Sequence, residues 1–402
     1  MASFSKVKLG EIANIKGGKR LPKGHTLLYD KTLHPYIRAR DIKDGVIIFD
    51  DPVYIDQSTY EKIQRYTVDK GDVCITIVGA NVGDVGQVPT FLDGANLTEN
   101  AVKLVAKDND EYIADYIKYA LQTQDAQKQM KNAAAGAAQP KLGIYKIKEV
   151  EIFYPSKNIR ARISTILSTY DDLIENNNRR IAILEEMAQK LYREWFVKFR
   201  FPGHEKVKMV ESEFGLIPEG WEVVKLSEMC NLTMGQSPKS EFYNENKEGI
   251  PFYQGVADFG LRFPKERVYC TKPTRFAKEG DILFSVRAPV GRLNIANSDL
   301  SIGRGLSAIN HKDGYQTFLY QQLKYLFRVE DSMGNGSIFN SVTKRDMQNI
   351  DLLKPAIEIV EKFEEIAIPM FDLLDNLEKR NINLKGQRDL LLPKLISGKI
   401  NV

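Results

Sequence analysis

Two stretches of this chain are rich in side chains that can hold a polyanion. Residues 1–50 carry ten Lys and Arg against five Asp and Glu, and residues 262–304 carry nine against four. The excess is local, because the full 402 residues hold 57 basic against 53 acidic side chains, a net charge of +4. Arginine pairs two-pronged with guanine or a phosphate, Asn and Gln pair with adenine, and lysine meets phosphate as a point charge. In the first half the candidates for such contacts are Lys19, Arg20, Lys23, Arg38, Arg40 and Asn81, in turn-like or strand-edge segments. In the second they are Gln236, Ser237, Lys239, Arg262, Arg287, Arg292 and Arg304. Ordinary solvation or a local salt bridge is the competing reading of each. Two basic stretches in a nearly balanced chain suggest two polyanion-facing patches.

Residues for catalysis are not assembled in the same way. The four histidines, His25, His34, His204 and His311, show no HExxH or HxxxH spacing. Cys74, Cys230 and Cys270 are isolated, so no thiolate zinc site or disulfide framework is expected. No catalytic residue and no metal ligand is therefore assigned. An amino-methyltransferase needs an Asn/Asp-Pro-Pro-aromatic string, and Asp51-Pro-Val-Tyr54 lacks the second proline. No GxxxxGK phosphate loop occurs. Gly17-Gly-Lys-Arg-Leu-Pro-Lys-Gly24 is basic and glycine-rich in the wrong order, and Gly303-Arg-Gly305 and Gly334-Asn-Gly336 read as structural turns.

The elements that position the candidates come in two copies. Val7-Lys-Leu-Gly-Glu-Ile-Ala-Asn14 recurs as Val224-Lys-Leu-Ser-Glu-Met-Cys-Asn231, and Lys70-Gly-Asp-Val-Cys-Ile-Thr-Ile77 as Glu279-Gly-Asp-Ile-Leu-Phe-Ser-Val286. Val150-Glu-Ile-Phe-Tyr-Pro155 recurs as Ile350-Asp-Leu-Leu-Lys-Pro355. The period is far longer than a solenoid repeat, so a whole domain-plus-helix unit is duplicated. Each copy begins with short alternating strand patterns, with one helix expected near Tyr112–Lys131 and its counterpart near Thr317–Val329.

Each copy ends in a heptad. Ile159, Ile166, Leu173, Arg180 and Met187 alternate with Ile163, Tyr170, Asn177, Leu184 and Leu191. In the second copy Ile359, Ile366, Leu373, Arg380 and Gln387 alternate with Phe363, Met370, Leu377, Leu384 and Leu391. This spacing predicts two long helices, the second kinked or divided at Pro369, each serving as the other's partner. Arg180, Arg380 and Asn176-Asn177-Asn178 lie mid-helix, where they either set register or face solvent. The intervening connection permits either direction; an antiparallel pair would relate two globular halves by a pseudo-twofold axis. The expected class is α+β: two similar domains joined by two long helices paired as an antiparallel coiled coil. The expected segments are a first domain at 1–155, a helix at 156–200, a linker and second domain at 201–355, and a helix at 356–402.

The apolar content of 43% fits a globular chain, and no apolar run approaches the ~18–20 residues that span a bilayer. The N-terminal segment lacks a signal-peptide core, so a cytoplasmic location is expected.

Several motifs carry a resemblance. Leu191-Tyr-Arg-Glu-Trp-Phe-Val-Lys-Phe-Arg-Phe-Pro-Gly203 closes the first helix, and Phe214-Gly-Leu-Ile-Pro-Glu-Gly-Trp-Glu222 leads into the second domain. Met234-Gly-Gln-Ser-Pro238, Gly249-Ile-Pro-Phe-Tyr-Gln254 and Val286-Arg-Ala-Pro-Val-Gly291 lie inside that domain, and Leu390-Leu-Leu-Pro-Lys-Leu-Ile-Ser-Gly398 ends the second helix. With these, nearly the whole chain resembles the specificity (S) subunit of type I restriction-modification enzymes. The first half matches less literally, with Val78-Gly-Ala-Asn-Val-Gly83 in place of Arg-Ala-Pro-Val-Gly. The resemblance implies a noncatalytic subunit whose two target-recognition domains read a bipartite, asymmetric site in double-stranded DNA. It implies docking of two adenine-N6 methyltransferase subunits, joined by a restriction/translocase subunit. S-adenosylmethionine would then belong to the methyltransferase, ATP and Mg²⁺ to the restriction subunit, and no cofactor to this chain. Partner contacts are expected on exposed helix faces and at the aromatic segment with Trp195, Phe196, Phe199 and Phe201, for which packing inside the chain is the alternative. Two other classes compete: a coiled-coil scaffold whose duplicated domains bind proteins, and a self-contained DNA-modifying enzyme.

Overall fold

The heptad segments form the two longest elements. In the computed structural model, which describes residues 4–108, 110–136, 140–328 and 341–402, they are the helices Lys157–Tyr192 and Ile357–Ile396. The turn Gly334-Asn-Gly336 lies outside the described residues. A π turn, Arg193–Val197, continues the first helix. The second is not divided at Pro369. Pro369 and Glu365 are both exposed, so the carbonyl left without an N–H partner opens to water.

The buried stripe differs from the expected one by a single position. In the first helix Arg160, Leu167, Ile174, Ile181 and Ala188 are buried, with Trp195 in the turn beyond, and in the second Val360, Ala367, Leu374, Asn381 and Leu395 are buried. The expected row is the neighbouring one, in which Leu173 is 48%, Met187 47%, Ile366 42% and Leu373 37% exposed. Arg180, Arg380 and Gln387 are exposed as well. The interleaved row fits: Ile163, Asn177, Phe363 and Leu377 are buried. Ile163 has an apolar residue both three and four positions on, Ile166 and Leu167. A 3–4 heptad can therefore be drawn on either side of it, and packing selects Leu167.

The chain divides into two compact units, residues 1–177 with 379–402, and residues 178–378. Each unit thus contains part of both long helices, and these groupings cut across the four sequence segments. In the first unit the strands Ala13–Gly17, Ala101–Ala106, Val73–Thr76, Val85–Gln87, Gly45–Ile47 and Ile42–Lys43 pair in that order. A smaller sheet pairs Tyr54–Ile55, His34–Ile37 and Asn96–Leu97. The single helix expected near 112–131 is two, Ile113–Gln122 and Gln124–Ala134, because the Thr123 side chain caps the second. Asp171 of the first long helix ties these pieces together. It accepts from Tyr119 Oη at 2.6 Å and Arg388 Nη1 at 2.7 Å, and lies 3.2 Å from Lys118 Nζ. Burial opposes its charge, but these three partners outweigh it and hold its pKa below the ordinary carboxylate value. As residue number rises from Asp171 to Asn177, the partner number falls from Arg388 to Asn381.

The second unit repeats the plan. Cys230–Met234, Leu306–His311, Ile282–Ser285 and Leu293–Ile295 form one sheet. Tyr243–Asn244, Tyr269–Cys270, Ile250–Tyr253, Leu300–Ile302 and Phe276–Ala277 form another. The helix Gln316–Leu326 packs on the long helices: Glu364 accepts from the Phe318 N–H at 2.8 Å, and Lys324 lies 3.4 Å from Glu185. The turn after the first long helix is core. Trp195, Phe196 and Phe201 are 8%, 3% and 3% exposed, so the structure places this cluster in packing within the chain, not on an open surface. Phe196 meets Phe318 at 4.8 Å and Phe363 at 5.2 Å between ring centroids, while Phe201 stacks on Trp221 at 5.1 Å. Phe199 packs edge-on against the same Trp221 at 5.7 Å. Two of the resemblance motifs are thus joined through one indole, for the apolar reason that rings of this size leave water together.

Candidate nucleic-acid interface

In both units most of the candidate residues sit where strands end. Gly17 pairs with Val102, and Ala101 with Thr76, so the loops after Gly17 and Thr76 and before Ala101 leave the sheet on the same side. The strand His34–Ile37 runs parallel to Asn96–Leu97 and delivers Arg38 there, beside Thr98 and Glu99. The Thr76 hydroxyl donates to Ala39 O at 3.1 Å, joining the loop of Arg38 and Arg40 to this edge. Gly18 is required for the approach: a Cβ there would lie 2.0 Å from Thr98 O.

This first rim is basic but partly paired. Arg20 Nε lies 2.7 Å from Glu99 Oε1, with the arginine 81% exposed. Such an exposed pair is weak, and a phosphate can take the arginine from it. Lys19 lies over the Tyr66 ring at 5.6 Å. Arg38 is more committed: it reaches Asp41 at 2.8 Å and is mostly buried, while Arg40 pairs with Asp51 in the open. Asn81 is exposed in the turn after Gly79, and its carbonyl accepts from the Asp84 N–H at 3.0 Å. Lys23 is exposed on the neighbouring loop.

The second unit builds the same edge from different residues. Met234 pairs with Ser307, and Ser285 with Leu306, which brings Gln236, Ser237, Arg287 and Arg304 to one side. Gly235 repeats the role of Gly18, since a Cβ there would lie 2.1 Å from Gly303 O. Gln236 N–H donates to Ile302 O at 3.0 Å, and Thr274 Oγ1 donates to Gln236 O at 2.8 Å. The Gln236, Arg287 and Arg304 side chains are exposed. Gln254, which the sequence reading passed over as a contact, stands among them; its position closing the motif Gly249–Gln254 was the available signal. The two edges match position by position while their side chains do not: Arg304 stands where the first unit has Glu99, and Ser237 where it has Arg20.

Three candidates lie apart from this edge. Lys239 is exposed beside the turn Ser240–Phe242, and Arg292 is exposed where the strand Leu293–Ile295 begins. Arg262 is not on the surface. It is 6% exposed, with Nε 2.9 Å from Asp375 Oδ1 and the guanidinium 4.0 Å from the Phe371 ring, so it acts inside the protein. Burial pushes the neighbouring Glu378 up to about 7; Asp375 and Glu185 add to this and Arg262 opposes it. Among the described residues no group of three or more His, Cys, Asp or Glu could hold a metal ion, and no helix is long and apolar enough to cross a membrane.

Comparison with known proteins follows the repeat. The family model for the type I restriction modification DNA specificity domain matches residues 1–186 and again 218–387. A protein of Methanocaldococcus jannaschii described as the MjaX specificity subunit of a type I restriction enzyme is 31% identical over 385 residues, spanning 93% of this chain and 88% of that protein. The MjaIX specificity subunit of the same organism is 29% identical over 342 residues, or 81% and 78% of the two chains. Among solved structures, the type I restriction-modification S subunit from M. genitalium has this fold at a TM-score of 0.57 and 18% identity, over 98% of this chain and 96% of that one.

Proposed function

The chain belongs to the type I restriction-modification DNA specificity family, and from that premise we propose that it reads a bipartite, asymmetric site in double-stranded DNA, one half-site per repeat. One observation carries this reading. Both units hold the same strand-end edge, with Gly18 and Gly235 in the same close approach, yet furnish it with different polar side chains. Common geometry with separate chemistry is what two unlike half-sites require. The first target-recognition domain is residues 1–155, and residues 201–355 comprise a linker and the second. The helices pair along their length as an antiparallel coiled coil and relate the halves by a pseudo-twofold axis. The falling partner numbers from Arg388 to Asn381 support that direction.

The chain itself carries no catalysis. Two adenine-N6 methyltransferase subunits dock on it and supply S-adenosylmethionine chemistry; a restriction/translocase subunit brings ATP and Mg²⁺. Apolar side chains left exposed on the long helices, some on the row beside the buried stripe and some elsewhere, support a docking face in each unit. The first unit exposes Leu173 at 48%, Ile382 at 71% and Leu390 at 67%, and the second exposes Ile183 at 56%, Met187 at 47% and Ile366 at 42%. Helix faces with this much apolar exposure fit a permanent partner better than bulk water.

The test is a domain exchange. Residues 215–355 are replaced by the matching part of a related chain, and the methylome of a host carrying the methyltransferase is sequenced. One half of the methylated motif should change and the other persist. Both halves changing together would defeat independent readout.

A further inference from the structure

The structure gives the turn Gly303-Arg304-Gly305 a structural role. It is the seat of Gln254. The strands Ile250–Tyr253 and Leu300–Ile302 run parallel, Tyr253 opposite Ile302, so Gln254 and the turn leave the sheet side by side. Gly305 N–H donates to Gln254 O at 3.1 Å. A Cβ on Gly303 would lie 2.6 Å from Gln254 Oε1, and one on Gly305 would lie 2.4 Å from Gln254 O. Only glycines leave the glutamine this place.

The amide is also oriented. Ser237 Oγ donates to Gln254 Oε1 at 2.9 Å, and Ser237 Oγ itself accepts from the Arg304 N–H at 3.2 Å. The serine hydroxyl thus donates to the amide and accepts from the backbone, and the amide is held by its oxygen. Gln254 is exposed, and among the described residues Nε2 has no acceptor. Oε1 keeps a second lone pair. The exposed edge is therefore two donors beside one acceptor site, held in place before any ligand arrives. In the major groove, adenine presents the complement, an N7 acceptor beside an N6 donor. Guanine presents two acceptors there and leaves Oε1 facing another oxygen.

We propose that Gln254 reads an adenine in the second half-site, with Ser237 as its positioning residue. This rests on the reading of the chain as a DNA-specificity subunit. The equivalent place in the first unit follows Ile37 and holds Arg38, which Asp41 engages at 2.8 Å. The two repeats thus put different chemistry at one position of the fold.

The experiment uses the full chain assembled with its methyltransferase subunits, on a DNA library with both half-sites randomised. Wild type, Gln254→Ala, Gln254→Glu and Ser237→Ala are compared by sequencing the methylated products. Gln254→Ala should weaken the preference for adenine at one position of one half-site roughly 5- to 100-fold, the scale of a two-pronged base contact. Gln254→Glu should move that preference to cytosine, because a carboxylate can only accept and cytosine N4 donates. Ser237→Ala should give a smaller loss at the same position and nowhere else. An unchanged preference in Gln254→Ala would overturn the assignment. So would an equal loss on every sequence, which marks a phosphate or packing role. Wild type methylating with no sequence preference would instead overturn the specificity reading itself, and this assignment with it.

Discussion

Asn177 Nδ2 donates to Asn381 Oδ1 at 2.8 Å, joining two buried amides that stand 204 residues apart in the chain. Each occupies a position of its helix's buried stripe where a leucine would pack. A polar pair at such a place costs stability and fixes register, because a slipped helix would bury both amides against apolar side chains. Asn177→Ala should therefore destabilise the protein by about 1–3 kcal/mol, since it leaves a buried amide one hydrogen bond short. The double change Asn177→Leu with Asn381→Leu should be at least as stable as wild type. Denaturant unfolding of wild type, Asn177→Ala and the double variant checks this, and a near-neutral Asn177→Ala would count against a register role.

The one-position offset of the buried stripe separates folding from assembly. Ile174→Ala or Leu374→Ala should cost about 2–5 kcal/mol, as removal of buried branched side chains does. Leu173→Ala and Met187→Ala, on the adjacent row, should change stability by no more than about 0.5 kcal/mol. They should instead weaken capture of the methyltransferase subunit. Melting temperatures and size-exclusion profiles of the mixed subunits distinguish the two rows. A stability loss at Leu173 equal to that at Ile174 would show that both rows are core.

The aromatic turn behaves as core. Phe196→Ala should cost about 3–5 kcal/mol in stability of the free chain, because the ring touches Phe318, Phe363 and Trp221. Thermal unfolding without any partner is the measurement. A variant that melts normally and fails only to bind methyltransferase would return this segment to the docking surface.

Glu378 predicts a pH dependence of stability. Burial raises its folded pKa from 4.5 to about 7, so between those values the folded state holds more protons than the unfolded one. Stability contributed by the protonated form is complete below about pH 4.5 and lost as pH rises through 7. Glu378→Gln, which stays neutral, should thus melt several degrees higher than wild type at pH 8. At pH 5 the difference should nearly vanish. A constant difference at both pH values would mean that the carboxylate is ionised throughout.

The duplication, the α+β class, the two long helices and the DNA-specificity family were legible in the residues. Repeated strings such as Val7–Asn14 and Val224–Asn231 record local structure directly. The heptad records helix length, because a repeat in sequence is a repeat along one axis. Which heptad row turns inward was not legible. Ile166 and Leu167, or Leu173 and Ile174, are neighbours of equal apolarity, and periodicity alone cannot rank two adjacent rows. Only the packed surfaces of the rest of each unit select one. The same holds for the interface. Arg38 and Glu99, or Ser237, Gln254 and Arg304, are distant in sequence, and strand pairing, parallel for Arg38 with Glu99 and for Gln254 with Arg304 and antiparallel for Ser237, brings them to one edge. Arg262, basic and within a basic stretch, looked like a surface residue until Asp375 and Phe371 enclosed it. Residue types set what chemistry each side chain can offer. Long-range pairing decided which of them stand together, because a hydrogen bond between strands carries no trace in the local sequence of either one.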